Sequence, residues 1–480
     1  MKKSNLIIIG SLIIVVGIIC VICLYHKPNN STTSNNTSKT TIEEKDFSGY
    51  TESEIDLNKE NEVVEITSEG IFTLTGEING YVKIDTEGDV KLILDNVTIK
   101  NSNGPAIYVV NAKNVYIELV GESTLEDGSS YSGYDEDVNA CIYSKDDLFI
   151  TGSGTLNIKA NYEDGIVSKD DLTITSGTVN IESKDDAIRG KDSVTIIDGT
   201  FTITAGGDGI KSTNDEDTEK GNIVLKNGTF NIKSDSDGIQ AENSVTIEGG
   251  TFNITTAGGS KSATTYNEWA SKTGSEDEST KGIKSGNNII INGGTFELST
   301  TDDGIHSNGN ITINNGKITI TSDDDAIHAD GMLEINNGTL TLTAHEGLEA
   351  TYVKINDGTI NISASDDGIN AGNKSSDYSV TIEINGGNIT IKMGSGDTDG
   401  IDSNGNLYIN GGTINITGNS PFDYDGEAKY NGGTLIVNGQ ETNTITNQFM
   451  GGGQMGQGNM RGNMQPDMQG NMNMKGGRMR

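Results

Sequence analysis

An acidic residue stands two positions before each of a run of regularly spaced hydrophobes: Asp164, Asp186, Asp208, Asp237, Asp303, Asp325, Glu346, Asp367 and Asp399. A second acid often lies just upstream, as at Glu163, Asp185, Asp235, Asp302, Asp324, Asp366 and Asp397, and Lys281 breaks the main series once. Glycine or alanine always follows the main acid, so each Asp has an ordinary role as a turn residue whose carboxylate bonds nearby backbone N–H groups. Repetition adds a cost. Stacked carboxylates about 5 Å apart make one another harder to ionise, and Asn would make the same turn without that penalty. A column of acids therefore favours a cation held between them. Calcium matches this chemistry, because it takes about six to eight oxygen ligands from carboxylates and carbonyls. Four histidines and no clustered cysteines argue against zinc.

The position just after each hydrophobe should face outward. It reads Val167, Arg189, Lys211, Gln240, Lys284, His306, His328, Glu349, Asn370 and Asp402. The centre of this row is basic on an otherwise acidic chain. One reading is an ion-pair lattice that neutralises the acids beside it. The other is a long groove for an anionic polymer, with sugar carboxylates on Arg189, Lys211 and Lys284, flanked by His306 and His328. An insertion carries Tyr266 and the single tryptophan, Trp269, which offers a stacking surface for a sugar ring or a plug on the side of the fold.

The elements that position these residues follow from the spacing. The hydrophobes are Ile166, Ile188, Ile210, Ile239, Ile283, Ile305, Ile327, Leu348, Ile369 and Ile401, separated by 22, 22, 29, 44, 22, 22, 21, 21 and 32 residues. A fixed period with insertions at defined places marks a solenoid, in which a repeated side chain becomes a row in space. Within 189–210, polar and apolar residues alternate over Ser193–Ile196 and Thr200–Thr204, which means strands. Between them sits Gly199, recurring as Gly177, Gly228, Gly250, Gly294, Gly316, Gly338, Gly358, Gly387 and Gly412, at a turn. A third strand starts at the hydrophobe. The prediction is an all-β chain: a right-handed parallel β-helix with three short strands per rung of 21–22 residues. Val194, Ile196, Phe201, Ile203 and Ile210 should face inward. Phe201, Phe230, Phe252 and Phe296 should form one column, continued by Ile318, Leu340, Ile360, Ile389 and Ile414.

The chain carries 33 basic and 69 acidic residues, a net charge of −36. Residues 1–42 contribute +4 and residues 450–480 contribute +3, which leaves −43 between them. Such a body repels nucleic acid and anionic lipid. Leu6–Leu24 is uncharged and follows Lys2 and Lys3, so residues 1–26 are read as a membrane anchor or signal segment, with retention favoured because no small-x-small cleavage site follows. Residues 27–61 are a Ser/Thr/Asn-rich stalk and lead-in, 62–447 the β-helix, and 448–480 a Gly/Met/Gln/Asn-rich tail of disordered composition. The expected location is extracellular, at the cell surface. Cys20 and Cys23 fall in the apolar segment and Cys141 in the core, so no disulfide framework exists.

The segments GIFTLTGEINGYVKID, KLILDNVTIKNSNGPAIYV, GESTLEDG and NACIYSKDDLFITGSGTLNI, followed by the DGI rungs, resemble the clostridial cell-surface carbohydrate-binding β-helix family over nearly all of residues 62–480. The resemblance implies a pectate-lyase-like solenoid with bound Ca²⁺ that binds plant-wall polysaccharides, acidic sugars included, as a binder rather than an enzyme. It implies metal contacts at Asp186, Asp208, Asp237, Asp303, Asp325 and Asp367, the positions that match the family's acidic turns. Two other readings stay open: a lyase using Ca²⁺ with Lys211 or Lys284 as base, and a purely structural surface solenoid.

Overall fold

The computed structural model describes residues 45–261, 279–394 and 398–447. The chain divides into Met1–Ser48 and Gly49–Arg480, and the solenoid belongs wholly to the second unit. Trp269 and Tyr266, the 1–26 segment and the 448–480 tail lie outside the described residues.

Among those described, regular structure consists of 43 strands and one short 3-10 turn, Leu57–Lys59. The strands pair in parallel with their equivalents one rung away, forming three faces of a parallel β-helix. Ile188–Gly190 pairs with Ile210–Ser212, Ser193–Ile196 with Asn222–Leu225, and Thr200–Ala205 with Thr229–Ser234. The first strand, Glu52–Asp56, pairs with the Gly70–Asn79 strand, so regular structure begins inside the lead-in. At the other end Thr434–Val437 meets Gln440–Thr442 in an antiparallel pair.

The alternation of side chains decides what lies inside. Val194, Ile196, Phe201, Ile203 and Ile210 are all at most 1% exposed, as their period-two spacing requires. The phenyl rings of Phe201, Phe230, Phe252 and Phe296 stack at 4.9, 4.7 and 4.7 Å, within 5° of parallel. Backbone register fixes this geometry, because each ring sits over its equivalent one strand spacing away. Ile318, Leu340, Ile360, Ile389 and Ile414 continue the column. Cys141 is buried in the same core.

Two turn devices hold the rungs in register. Gly250 has φ 112°, and a Cβ there would come within 2.9 Å of the Gly228 carbonyl oxygen. Beside these turns runs an asparagine ladder. The Nδ2 of Asn314, Asn336, Asn356, Asn385, Asn410 and Asn431 each donates to the Oδ1 of the preceding Asn, at 2.7–3.0 Å. An amide suits this position because it both donates and accepts along the axis.

Candidate charged face and metal-binding groups

The acidic row proves to be a two-sided device. In six of these acids one carboxylate oxygen faces along the solenoid. The backbone N–H groups of Asp186, Asp208, Asp237, Lys281, Asp325 and Asp399 donate to the Oδ1 atoms of Asp164, Asp186, Asp208, Asp237, Asp303 and Asp367, at 2.7–3.1 Å. These carboxylates are at most 9% exposed. The ladder explains why a buried turn tolerates the acid: the N–H groups would otherwise lack partners. Lys281 keeps the ladder through its backbone N–H and turns its ammonium toward Asp302 and Asp303.

The second oxygen meets the neighbouring row, whose members stand in register from Arg189 through Lys211, Gln240, Lys284, His306, His328, Glu349 and Asn370 to Asp402. Arg189 bonds Asp164 and Asn139. Lys211 Nζ lies 2.7 Å from Asp208 and 3.3 Å from Asp186. Lys284 is 3.4 Å from Asp237. His306 Nδ1 is 2.7 Å from Asp303, and His328 Nδ1 reaches Asp325 at 2.9 Å and Glu349 at 2.8 Å. Each of these basic side chains thus contacts carboxylates of the row, while between 13% (His328) and 27% (Lys284) of its side chain still meets solvent. Asp186, Asp208, Asp237, Asp303 and Asp325 already have protein cations against them. Asp367 has none among the ion pairs of the described residues.

Ionisation follows this pairing. Burial would lower His328, but the carboxylates of Asp325 and Glu349 outweigh it and raise the imidazole to about 11. Burial likewise opposes charge on Lys211, yet Asp186 and Asp208 leave its ammonium held above the usual lysine value. Burial raises Asp208 only to about 6, since Lys211 pulls it back.

Beyond His328 the row runs out of cations: its members there are Glu349, Asn370 and Asp402. Burial, then Glu349, pushes Glu346 to about 8. Burial, then Glu346, Asp366 and Asp402, pushes Asp367 to about 9. Burial, then Asp399, Asp423, Asp425 and Asp366, pushes Asp402 to about 7. Lys374, 2.8 Å from Glu349, partly compensates. Asn370 donates through Nδ2 to Glu346 at 2.9 Å, while its buried Oδ1 has no hydrogen-bond partner, nor has Ser365 Oγ beside Asp366. His345, Glu346 and Asp366 bring one ligand atom each within 4.8 Å of one another, and His345 does the same with Asp324 and Asp325. These groups could hold a metal ion.

His345 is a residue that the reading of the sequence missed. It occupies the place of the second acid, between Asp324 and Asp366, and the gap in that second series was the available signal. Val167 corrects an expectation: it follows its hydrophobe as Arg189 does, yet is fully buried, because Val138, Ala140 and Tyr143 cover it.

The fold and this face define a β-helical protein with a linear, charged, solvent-facing strip. The chain belongs to the carbohydrate-binding domain-containing protein family, whose profile matches residues 60–326 and 321–448. A carbohydrate-binding domain-containing protein of Acetivibrio thermocellus is similar, with 38% identity over 128 residues, which is 25% of this chain. The chain spans about half, 45%, of the length of that curated relative. A solved structure, of the polysaccharide lyase-like protein from C. thermocellum as its gadolinium derivative, shares 33% identity and covers 43% of this chain and 91% of that one, with a TM-score of 0.41.

Proposed function

We propose that this is an exported cell-surface protein that binds acidic polysaccharide in a calcium-dependent way, anchored through its apolar amino-terminal segment. The observation that carries this reading is the change along one row in register: the cations Arg189, Lys211, Lys284 and His328 give way to Glu349, Asn370 and Asp402. The cationic stretch suits a chain of uronate carboxylates, because each side chain keeps part of its surface in solvent. The anionic stretch suits Ca²⁺. The carboxylates of Glu346 and Asp367 beside it are held above their ordinary values, and the Asn370 Oδ1 and Ser365 Oγ near them have no hydrogen-bond partner. A hard, oxygen-seeking cation answers both deficits. Glu346, Asp366, Asp367 and Asn370 are the residues that would hold it. Once bound, it supplies positive charge that attracts a sugar carboxylate to an otherwise repelling surface.

The lyase alternative requires a neutral amine as base. Lys211 fits that role poorly, because Asp186 and Asp208 keep it protonated.

The test is co-sedimentation of the full chain with polygalacturonate, first in Ca²⁺ and then in chelator. Binding in Ca²⁺ and release by chelator are expected. Absence of binding in both conditions would sink the proposal, and ultraviolet absorbance from unsaturated products would show a lyase instead.

A further inference from the structure

The row that carries Arg189 and Lys211 continues in register toward the amino end as Val167 and Tyr143, both buried, and then Tyr108 and Lys83. There it changes from charged to aromatic, and there the surface opens into a cleft of about 1150 Å³. Tyr81, Tyr108 and Tyr134 line it. The ring of Tyr134 stands edge-on to Tyr108, at 5.4 Å and 72°, and to Tyr81, at 6.5 Å and 70°. Two of these tyrosines come from strands, whereas Tyr134 comes from the long connection between Glu122–Glu126 and Ala140–Ser144.

That connection is tied down. Tyr131 stacks on Tyr162 at 4.4 Å and donates its hydroxyl to Asp127 at 2.7 Å. Ser132 and Asn103 exchange two hydrogen bonds, at 2.8 and 3.2 Å. The Tyr134 wall is therefore built into the fold, which spares a ligand the entropy of ordering it.

The lining pairs flat rings with hydrogen-bonding groups, notably Glu126, Asp127, Asn101 and Asn161. Tyrosine offers an apolar face and a polar rim, and carboxylates and amides take up hydroxyl donors. A pyranose ring presents the complementary pattern: a C–H face and a girdle of hydroxyls. Charge narrows the class further. Lys83 and Lys100 are outnumbered in the lining by Glu62, Glu65, Glu126, Asp127 and Asp135, and Lys83 and Lys100 are themselves paired with Glu65 and Glu126 at 3.8 and 3.3 Å. A uronate would meet net negative charge here.

We infer that this cleft is a binding site for a neutral pyranose oligosaccharide, separate from the cationic strip and independent of calcium. The inference rests on the reading of the chain as a glycan binder, and the two fail in distinguishable ways.

The experiment titrates the full chain calorimetrically with cellohexaose, xylohexaose and mannohexaose, in chelator throughout. Heat of binding from at least one hexasaccharide is expected. Tyr108→Ala and Tyr134→Ala should each weaken it at least tenfold and leave Ca²⁺-dependent sedimentation with polygalacturonate unchanged, whereas Lys284→Ala should leave it unaffected. Melting curves report whether each alanine variant folds, and Glu126→Gln, a change of one atom, gives a second reading if one does not. Polygalacturonate binding with no heat from any neutral sugar would overturn the cleft alone. Heat that survives both tyrosine substitutions, or that chelator abolishes, would overturn it too. Failure of both ligand classes would remove the glycan reading itself.

Discussion

Asp208 and Lys211 sit three residues apart on one rung, with Oδ2 and Nζ separated by 2.7 Å, while Asp208 Oδ1 accepts the Asp237 N–H of the next rung at 2.8 Å. One carboxylate thus joins neighbouring rungs and fixes a surface cation. Asp208→Asn should keep the acceptor and lose the ion pair, whereas Asp208→Ala loses both. The alanine variant is expected to be less stable than the asparagine variant by about 1–3 kcal/mol, the cost of a buried N–H left without a partner. Urea denaturation of the two variants checks the order. Equal stabilities would mean that the ladder bond contributes little.

The cation-poor end predicts a pH dependence. Glu346 and Asp367 titrate near 8 and 9 in the folded chain, against about 4 when unfolded. The folded state therefore binds the extra protons, and this contribution to stability is complete below pH about 4 and lost as pH rises toward 9. Calcium competes with those protons. The gain in melting temperature on adding Ca²⁺ should be larger at pH 8 than at pH 5, and scanning calorimetry at both values measures it. A gain independent of pH would place the ion elsewhere.

Removing charge from the cationic stretch gives the opposite signature. Lys211→Met leaves Asp186 and Asp208 without their shared ammonium. A loss of about 1–3 kcal/mol is expected at pH 7, since the pair is buried on the acidic side and part-exposed on the basic side. The loss should shrink below pH 5 as Asp208, which titrates near 6, takes up a proton. Denaturation at both pH values decides it.

The phenylalanine column makes a packing prediction. Phe252 is 1% exposed and stacked on both sides, by Phe230 and Phe296. Phe252→Ala should cost about 3–5 kcal/mol, and Phe252→Leu distinctly less, because leucine already fills the same column at Leu340. Hydrogen exchange should localise the loss to neighbouring rungs, as expected where each repeat contacts only its neighbours.

What could be read in advance was what repeats. The Phe201–Phe296 column and the inward Val194 and Ile210 follow from period alone, because parallel stacking turns a sequence interval into a contact. The row of Arg189, Lys211, Lys284, His306 and His328 was legible for the same reason. Their pairing with the acids beside them was legible too, but which carboxylate each one reaches was not, since it depends on side-chain direction within a rung. Val167 and the tyrosine cleft were hidden for a further reason. Both are made by the connection around Tyr131 and Tyr134, whose placement depends on contacts with Asn103 and Tyr162 rather than on any period. His345 broke a pattern, and a broken pattern reads as noise until its neighbours Asp324 and Asp366 are seen around it.

The closing antiparallel pair of Thr434–Val437 with Gln440–Thr442 has a consequence for assembly. A parallel solenoid adds strands at its ends, and a bare last rung is a template for a second molecule. Here the final strand of one face turns back and occupies that edge with the chain's own backbone. The N–H and C=O groups along the outer edge of Thr434–Val437 are thereby taken up within the chain, which removes that strand as a template for pairing.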